Sequence, residues 1–297
     1  MREFRLKLSQ NPPPGASCGG SGPRAGLGYL TLDGEKEGLM KPMDRMRAPL
    51  VSAAALVVAM GSSMAAAEIM GETVSYEIDG MAFEGYVAWN SNLEQSRGTV
   101  LIVHDWTGVD DYERRRAEML AAEGFTAFAI DVYGAEAEPQ GFDDFRALSG
   151  AMYADREAFR SRLMGGIAAA ADLPGAGGPV VMIGYCFGGA AVLEAARAGA
   201  GLDGFVSFHG GLDLPEGQDY SAVAAPVMLF HGSADPVSGM ADLAALLDDL
   251  QAAGVTHDAQ VFGAARHSFT VWGSGDYDLR ADRESWSGLL RFLDRVM

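Results

Sequence analysis

Short apolar runs rich in β-branched residues alternate, over residues 68–297, with longer segments in which apolar residues recur every three or four positions. The first pattern is typical of buried strands and the second of amphipathic helices. Two strands are predicted at 73–78 and 81–89, joined by Asp79-Gly80, a pair that favours a hairpin turn. The later runs predict six more strands, at 99–104, 125–131, 180–184, 205–209, 227–231 and 260–262.

Helices are predicted between these strands, at 110–123, 143–171, 190–198, 237–253 and 281–296. We expect Gly150 and Gly165-Gly166 to break or bend the long segment at 143–171. Strands that alternate with helices form a mostly parallel sheet covered on both faces. The sequence therefore predicts a single α/β domain over 68–297, with about eight strands and with helices on both faces of the sheet.

The chain before this domain has a different pattern. Residues 1–39 are rich in Gly and Pro without periodicity, so we expect no packed structure there. Basic residues at 40–47 precede an apolar run at 48–60 and then Ala65-Ala66-Ala67, which is the pattern of a secretory signal peptide. An uncleaved N-terminal anchor is the alternative, although the apolar run is short for a membrane span.

We interpret 40–67 as a cleaved signal peptide and the segment upstream of it as a misassigned start, with translation beginning at Met40, Met43 or Met46. This interpretation predicts export, to the periplasm, and no stable membrane association after cleavage. Cleavage would remove Cys18 and leave Cys186 as a lone thiol, which excludes an internal disulfide. An unpaired thiol in an oxidising compartment favours a functional role for Cys186.

The chain is strongly acidic, with 40 Asp and Glu against 22 Lys and Arg and a net charge of −18. Nucleic acids and anionic membranes are polyanions that such a surface repels. Composition therefore argues against both classes of partner.

Candidate chemistry starts at Gly184-Tyr185-Cys186-Phe187-Gly188-Gly189, where a thiol lies at a tight turn between a predicted strand and a predicted helix. This is the form of a nucleophile elbow, and glycines at 184 and 188 remove side chains that would collide in such a turn. The helix N-terminus would favour a thiolate and a developing oxyanion. A buried structural cysteine in a Gly-rich turn is the alternative.

Two later residues complete a possible triad with Cys186. Asp235 follows the strand predicted at 227–231, and His267 follows the strand predicted at 260–262. Nucleophile, acid and His then occur in the chain order of α/β-hydrolases, at strand ends where open α/β sheets place their chemistry. We predict that Cys186 is the nucleophile, that His267 moves its proton, and that Asp235 orients His267.

The sequence resembles the dienelactone hydrolase family, α/β-hydrolases with a Cys-Asp-His triad, from about Thr73 to the C-terminus. The motifs that carry the resemblance are G-Y-C-F-G-G (184–189), F-H-G-G (208–211), H-G-S-A-D (231–235), H-S-F-T (267–270) and A-D-R-E-S-W (281–286). It implies hydrolysis of a small ester or lactone, of carboxymethylenebutenolidase type, through a thioester acyl-enzyme and without a cofactor.

The oxyanion of the reaction needs two N–H donors. The elbow assigns one to Phe187, and the resemblance assigns the other to Trp106, in the loop after the strand at 99–104. The family has a Glu near the nucleophile at the position of Asp105. The shorter Asp105 could reach the nucleophile directly or through water, or could be a turn residue without a catalytic part.

Further residues are predicted to line the substrate pocket: His209, Tyr133 and Trp272. The resemblance implies arginines that bind a substrate carboxylate, and Arg146 or Arg156 could serve as one of them. The other lies four residues after the His in the family, and this chain has Val271 there. We therefore predict ester or lactone hydrolysis without specifying whether the substrate carries a carboxylate.

Two other classes of function remain open. A non-catalytic or weakly catalytic ligand-binding module could use the same fold, and Cys186 could undergo redox chemistry, although the exported domain has no resolving cysteine. His104, His209 and His231 end strands without metal-ligand spacing, so we predict no metal and no organic cofactor. Arg114-Arg115-Arg116 is expected to begin a solvated helix face.

Overall fold

The computed structural model describes residues 68–297. The predicted unstructured segment 1–39 and the predicted signal peptide 40–67 lie outside the described residues. One eight-stranded sheet runs through this part of the chain, in the order β1-β2-β4-β3-β5-β6-β7-β8. The strands are β1 Ile69–Ile78, β2 Met81–Asn90, β3 Thr99–Val103, β4 Thr126–Ile130, β5 Val180–Tyr185, β6 Gly204–Phe208, β7 Val227–Gly232 and β8 His257–Phe262.

The sheet is mostly parallel, as predicted. β1 pairs with β2 and β2 with β4 in antiparallel fashion, whereas every pairing from β4 through β8 is parallel. The predicted hairpin turn at Asp79-Gly80 is present, and both residues have positive φ, at 53° and 80°. The carboxyl ends of β3, β5, β6, β7 and β8 therefore meet at the same edge of the sheet.

The described residues form five α-helices between the strands and a sixth after β8: α1 Asp111–Ala122, α2 Phe142–Ala154, α3 Arg156–Ala169, α4 Phe187–Arg197, α5 Met240–Ala252 and α6 Leu279–Val296. Alternating strand residues feed two cores, because successive side chains point to opposite faces. Leu101 and Val103 pack with residues of α3, α4 and α5, whereas Val100 and Ile102 pack with residues of α1 and α6. Helices cover both faces of the sheet, as predicted for the α/β class. None of the helices described here is long and apolar enough to cross a membrane.

The expected helix break at the glycines is wrong. The long segment divides at Asp155, which ends α2 and caps α3 by accepting the Ala158 N–H at 3.0 Å. Gly165 and Gly166 lie inside α3, where an added Cβ would come within 2.4 Å of the side chains of Ile78 and Ile130, respectively. These glycines therefore let α3 approach the sheet closely instead of interrupting the helix.

Candidate active site

Cys186 lies at the turn between β5 and α4, with the strained backbone that the elbow motif predicts. Its φ is 55°, in the left-handed region that non-glycine residues rarely adopt. A Cβ on Gly184 would lie 2.1 Å from the Gly188 carbonyl oxygen, and one on Gly188 would lie 2.1 Å from the Val103 carbonyl oxygen. Gly184 therefore lets the strand and the helix of the turn approach each other, and Gly188 lets the turn fit against the end of β3.

Three side chains from separate loops form one hydrogen-bonded row. His267 Nε2 lies 3.0 Å from Cys186 Sγ, and His267 Nδ1 lies 2.9 Å from Asp235 Oδ2. The other oxygen of Asp235 accepts the N–H groups of Val237 and Ser238, at 2.8 and 3.2 Å. The structure thus brings together the three residues predicted to form a triad and fixes the orientation of the carboxylate, while their catalytic roles stay predictions.

The environment of His267 favours its protonated form. Burial alone would lower the pKa of His267, but the hydrogen bonds to Asp235 and Cys186 outweigh it and raise the pKa to about 10. Burial opposes ionisation of Asp235 as well, yet its hydrogen bond and charge interaction with His267 lower the pKa of that carboxyl. A carboxylate on Asp235 beside an imidazolium on His267 is therefore the arrangement that this geometry stabilises at neutral pH.

Two backbone N–H groups beside Cys186 are free to bind an oxyanion. The Phe187 N–H lies in the first turn of α4, where a helix has no internal acceptor for it. Trp106 follows β3, and within residues 68–297 its N–H donates no hydrogen bond. Both side chains line the cavity that contains Cys186. This placement is consistent with the predicted oxyanion donors.

Glu113 of α1, which the sequence analysis did not single out, holds the loop that carries Trp106. Its side chain is fully buried and accepts the N–H groups of Asp105 at 3.1 Å and of Asp110 at 3.2 Å. The loop is therefore fixed at both ends by one carboxyl group. A Glu three residues after the N-cap Asp110 is a capping-box pattern, which was the available sequence signal.

Asp105 is a turn residue in this structure. Its carboxylate accepts the backbone N–H and the hydroxyl of Thr107, both at 2.7 Å, and burial raises its pKa. The side chain lies in an open groove with Tyr112 and Trp272, and not in the cavity that contains Cys186. Of the alternatives weighed for Asp105, the turn role is the one that these contacts describe.

His209 lies behind the nucleophile. It is fully buried, its Nδ1 accepts the Cys186 N–H at 3.1 Å, and its Nε2 lies 2.7 Å from the Thr270 hydroxyl. The same hydroxyl lies 2.7 Å from the Tyr112 hydroxyl. His209 therefore positions the elbow and does not line the pocket, and Thr270 and Tyr112 are supporting residues that the sequence analysis missed.

The other predicted pocket residues also lie outside the Cys186 cavity. The Tyr133 hydroxyl donates to the Trp106 carbonyl at 3.1 Å, with its ring 5.5 Å from the Phe187 ring. Trp272 packs 4.2 Å over the guanidinium of Arg116. Arg146 is exposed and lies 4.0 Å from Asp143 on its own helix. These positions support neighbouring loops and surfaces instead of facing Cys186.

Arg116 corrects the expectation of a solvated helix face. It is 1% exposed, donates to the Thr270 carbonyl at 2.9 Å, and pairs with Asp282 of α6 at 2.5 Å. Its guanidinium lies against the rings of Tyr112 and Trp272. The arginine therefore joins α1 and α6 to the loop that carries His267.

The cavity beside Cys186 has a volume of about 410 Å³. Apart from Cys186, His267, Trp106 and Phe187, its walls include Tyr153, Pro236, Val237 and Asp276. Tyr153 comes from α2, Val237 follows Asp235, and Asp276 follows the His267 loop. A thiol beside a buried imidazole, at a mainly apolar cavity of this size, can react with a small acyl compound.

The chain is similar to known hydrolases over its described part. The model of the dienelactone hydrolase family matches residues 83–297. A dienelactone hydrolase-like promiscuous phosphotriesterase from metagenomic libraries is 30% identical, with a TM-score of 0.72 over 77% of this chain and 98% of that one. A structure named m3DLH is 27% identical, with a TM-score of 0.71 over 77% of this chain and 99% of that one.

A more distant structure shares the fold alone. The acylaminoacyl peptidase of Pyrococcus horikoshii is 15% identical, with a TM-score of 0.61 over 77% of this chain and 42% of that one. No curated protein matches the chain.

Proposed function

Because the chain belongs to the dienelactone hydrolase family, we propose that it hydrolyses a carboxylic ester or lactone through Cys186, by way of a thioester acyl-enzyme. The observation that carries the proposal is the row Cys186–His267–Asp235, with contacts of 3.0 and 2.9 Å, at the wall of a mainly apolar cavity. A structural cysteine needs neither a buried imidazole at its sulfur nor a carboxylate behind that imidazole.

In the first half of the proposed reaction, the Cys186 thiolate attacks the carbonyl carbon and the carbonyl oxygen becomes an oxyanion. The N–H groups of Phe187 and Trp106 are the proposed donors to that oxygen, and each such donor is typically worth about 3 kcal/mol in the transition state. The C–O bond then breaks, and protonated His267 gives its proton to the leaving alkoxide. A thioester on Cys186 remains.

In the second half, neutral His267 takes a proton from water, and the resulting hydroxide attacks the thioester carbon. The oxyanion forms again between the same donors, and the C–S bond breaks to release the carboxylic acid and the Cys186 thiolate. Asp235 accepts the His267 Nδ1–H throughout, which keeps Nε2 facing the reacting atoms. Water and ester are the only reactants, so the proposal requires no cofactor.

Phosphotriester hydrolysis is a second candidate reaction. The 30% identical metagenomic relative is described as a promiscuous phosphotriesterase, and the same thiolate could attack an uncharged phosphorus centre. Carboxylic esters remain the first candidate, because two N–H donors beside the nucleophile suit a single developing oxyanion.

Turnover by the purified protein tests the proposal. The panel is 4-nitrophenyl acetate, δ-valerolactone and diethyl 4-nitrophenyl phosphate, each assayed with the wild type and with Cys186→Ala. We expect ester or lactone turnover that disappears in the variant, and a covalent acyl adduct on Cys186 in mass spectrometry. A folded wild-type protein without turnover of any compound would favour a ligand-binding module, and turnover that survives Cys186→Ala would refute the nucleophile.

Export is a separate part of the proposal. The basic, apolar and Ala-rich order within residues 40–67 supports a cleaved signal peptide and a periplasmic domain. N-terminal sequencing of the native protein tests this, with a first residue near 68 expected. A mature N-terminus upstream of Met40 would contradict it.

A further inference from the structure

We propose that the substrate is an uncharged ester whose apolar group fills the cavity beside Cys186, and that esters carrying a carboxylate are selected against. This inference rests on the proposed ester hydrolysis at Cys186 and goes beyond it by naming the substrate class. It is carried by the side chains that line the cavity and by the charges around its mouth.

The cavity walls are apolar on the side of the nucleophile. The rings of Trp106, Tyr153 and Phe187 and the side chains of Pro236 and Val237 border the space next to Cys186. Burying each methylene of a substrate against such walls contributes a factor of about three to four in affinity. A volume of about 410 Å³ accommodates an acyl or aryl group of several carbons.

The apolar surface continues outside the cavity. Trp106 contacts Phe142 at 5.2 Å and Phe145 at 5.5 Å between ring centroids. Phe142 is 59% exposed and Val237 is 63% exposed, so both leave apolar surface open to solvent. Apolar side chains gathered at the rim of a cavity mark a surface for an apolar ligand.

No arginine or lysine lines this cavity within the described part of the chain. Position 271 is a valine that packs against the core of α1 and α6. Arg146 is turned to solvent, where it lies over the Phe142 ring at 5.0 Å. The one cationic group that the described walls offer is His267, which Asp235 and Cys186 already engage, so a substrate carboxylate in the cavity would lose its hydration without gaining an unpaired cation, which is costly in an apolar site.

A smaller adjoining cavity of about 250 Å³ does contain Arg156 and Arg197. Both are already paired with the fully buried carboxylate of Glu194, at 2.9 and 2.8 Å. Asp213 lies on the same wall. A substrate anion there would have to compete with Glu194 and approach Asp213, so this cavity does not supply the missing cation.

Among the described wall residues outside the predicted triad, Asp276 is the one with a carboxyl group. Asp276 lines the cavity and accepts a hydrogen bond from Arg266 Nε at 2.9 Å. Arg266 itself is not part of the wall, and its side chain is 53% exposed. The negative partner of this ion pair therefore faces the substrate, and a carboxylate beside it would be repelled.

Two matched ester pairs test the inference. One places the charge in the acyl half, with 4-nitrophenyl hexanoate against the 4-nitrophenyl monoester of adipic acid. The other places it in the alcohol half, with 4-methylphenyl acetate against 4-acetoxybenzoate. For the wild type we expect kcat/KM to be at least about tenfold higher for the uncharged member of each pair.

Variants of the ion pair then test the cause. Asp276→Asn removes the negative charge and frees Arg266, so we expect the uncharged-to-carboxylate ratio of kcat/KM to fall at least about threefold. Arg266→Gln leaves Asp276 unpaired, and the ratio should rise. The control Asp294→Asn breaks a surface ion pair with Arg97 and changes the net charge by the same amount as Asp276→Asn does. Its uncharged-to-carboxylate ratio should therefore match that of the wild type.

The outcomes separate this inference from the proposed function. Cys186-dependent turnover in which the carboxylate esters are equal or better substrates would overturn the substrate class and leave ester hydrolysis standing. An unchanged ratio in both Asp276→Asn and Arg266→Gln would overturn the role of the ion pair. Absence of any Cys186-dependent turnover would overturn the proposed function itself.

Discussion

Replacing Asp235 with Asn is expected to remove most of the activity, because it moves the proton of the neutral His267 ring from Nδ1 to Nε2. One Asp235 oxygen accepts the N–H groups of Val237 and Ser238. The amide oxygen of Asn must occupy that position, so its NH₂ group faces His267 Nδ1. Nδ1 must then accept a hydrogen bond, and the proton of the neutral ring moves to Nε2, where it blocks proton transfer from Cys186.

The magnitude follows from the protonation of His267. The rise in its pKa from 6.5 to about 10 corresponds to about 5 kcal/mol in favour of the charged ring. The hydrogen bond to Asp235 is the largest of the interactions that raise this pKa. Attributing about 3 kcal/mol to it predicts a fall in kcat/KM of roughly a hundredfold.

The assay is kcat/KM for 4-nitrophenyl acetate between pH 5 and 10, with the pKa of His267 measured by NMR in both proteins. We expect the pKa of His267 in Asp235→Asn to fall from about 10 to roughly 8, with little change in the unfolding temperature. Asp219→Asn, in an exposed loop, is the control for an Asp-to-Asn change. Activity within threefold of the wild type, or an unchanged pKa of His267, would refute this reasoning.

Three further predictions concern proton transfer by His267, the turn at Cys186 and the loop that carries Trp106. Because the proposed leaving group takes its proton from His267, wild-type kcat/KM should persist through pH 9 and decline near pH 10, whereas a decline centred near pH 6.5 would contradict the raised pKa. Gly188→Ala places a Cβ 2.1 Å from the Val103 carbonyl oxygen and should lower the free energy of unfolding, measured in urea, by about 3 kcal/mol or more. In the control Gly150→Ala the added Cβ meets open space, so the free energy of unfolding should stay the same or rise by up to about 1 kcal/mol. In Glu113→Gln the side-chain amide cannot accept the N–H groups of both Asp105 and Asp110, so kcat should fall about tenfold with KM nearly constant. An equal loss of kcat in the Gly150→Ala control, or a rise in KM alone, would argue against this role of Glu113.

The arrangement of the triad residues could be predicted because each of them obeys a local rule. Gly184 and Gly188 surround Cys186 at the spacing that a strand–turn–helix requires, and the Cβ distances explain that spacing. Asp235 and His267 follow β7 and β8, whose carboxyl ends lie at the same edge as that of β5. Parallel topology alone therefore brings the three side chains to one region, without any knowledge of their contacts.

The supporting residues could not be predicted in the same way, because their roles depend on side-chain direction and on long-range contacts. Tyr112 and Thr270 are 158 positions apart and meet through their hydroxyl groups. Trp272 and Tyr133 lie near the site in sequence, yet their rings point to Arg116 and to the Trp106 loop. An aromatic residue near a strand end indicates proximity to the site but not the cavity that its ring faces.

His209 and His267 both lie beside Cys186, and their hydrogen bonds give the two imidazoles different roles in the site. Cys186 and His209 both have positive φ, at 55° and 38°, and such conformations cost on the order of 1–3 kcal/mol each. The Cys186 N–H is shared between the Phe208 carbonyl oxygen at 3.0 Å and His209 Nδ1 at 3.1 Å, and a nitrogen that accepts in this way is unprotonated, which places the ring hydrogen on Nε2, facing Thr270. Burial and the neighbouring His267 lower the pKa of His209 well below its ordinary value, which keeps the ring neutral. With both nitrogens engaged, His209 can stabilise the strained elbow but cannot take a proton from the thiol, and proton transfer in the proposed reaction falls to His267 alone.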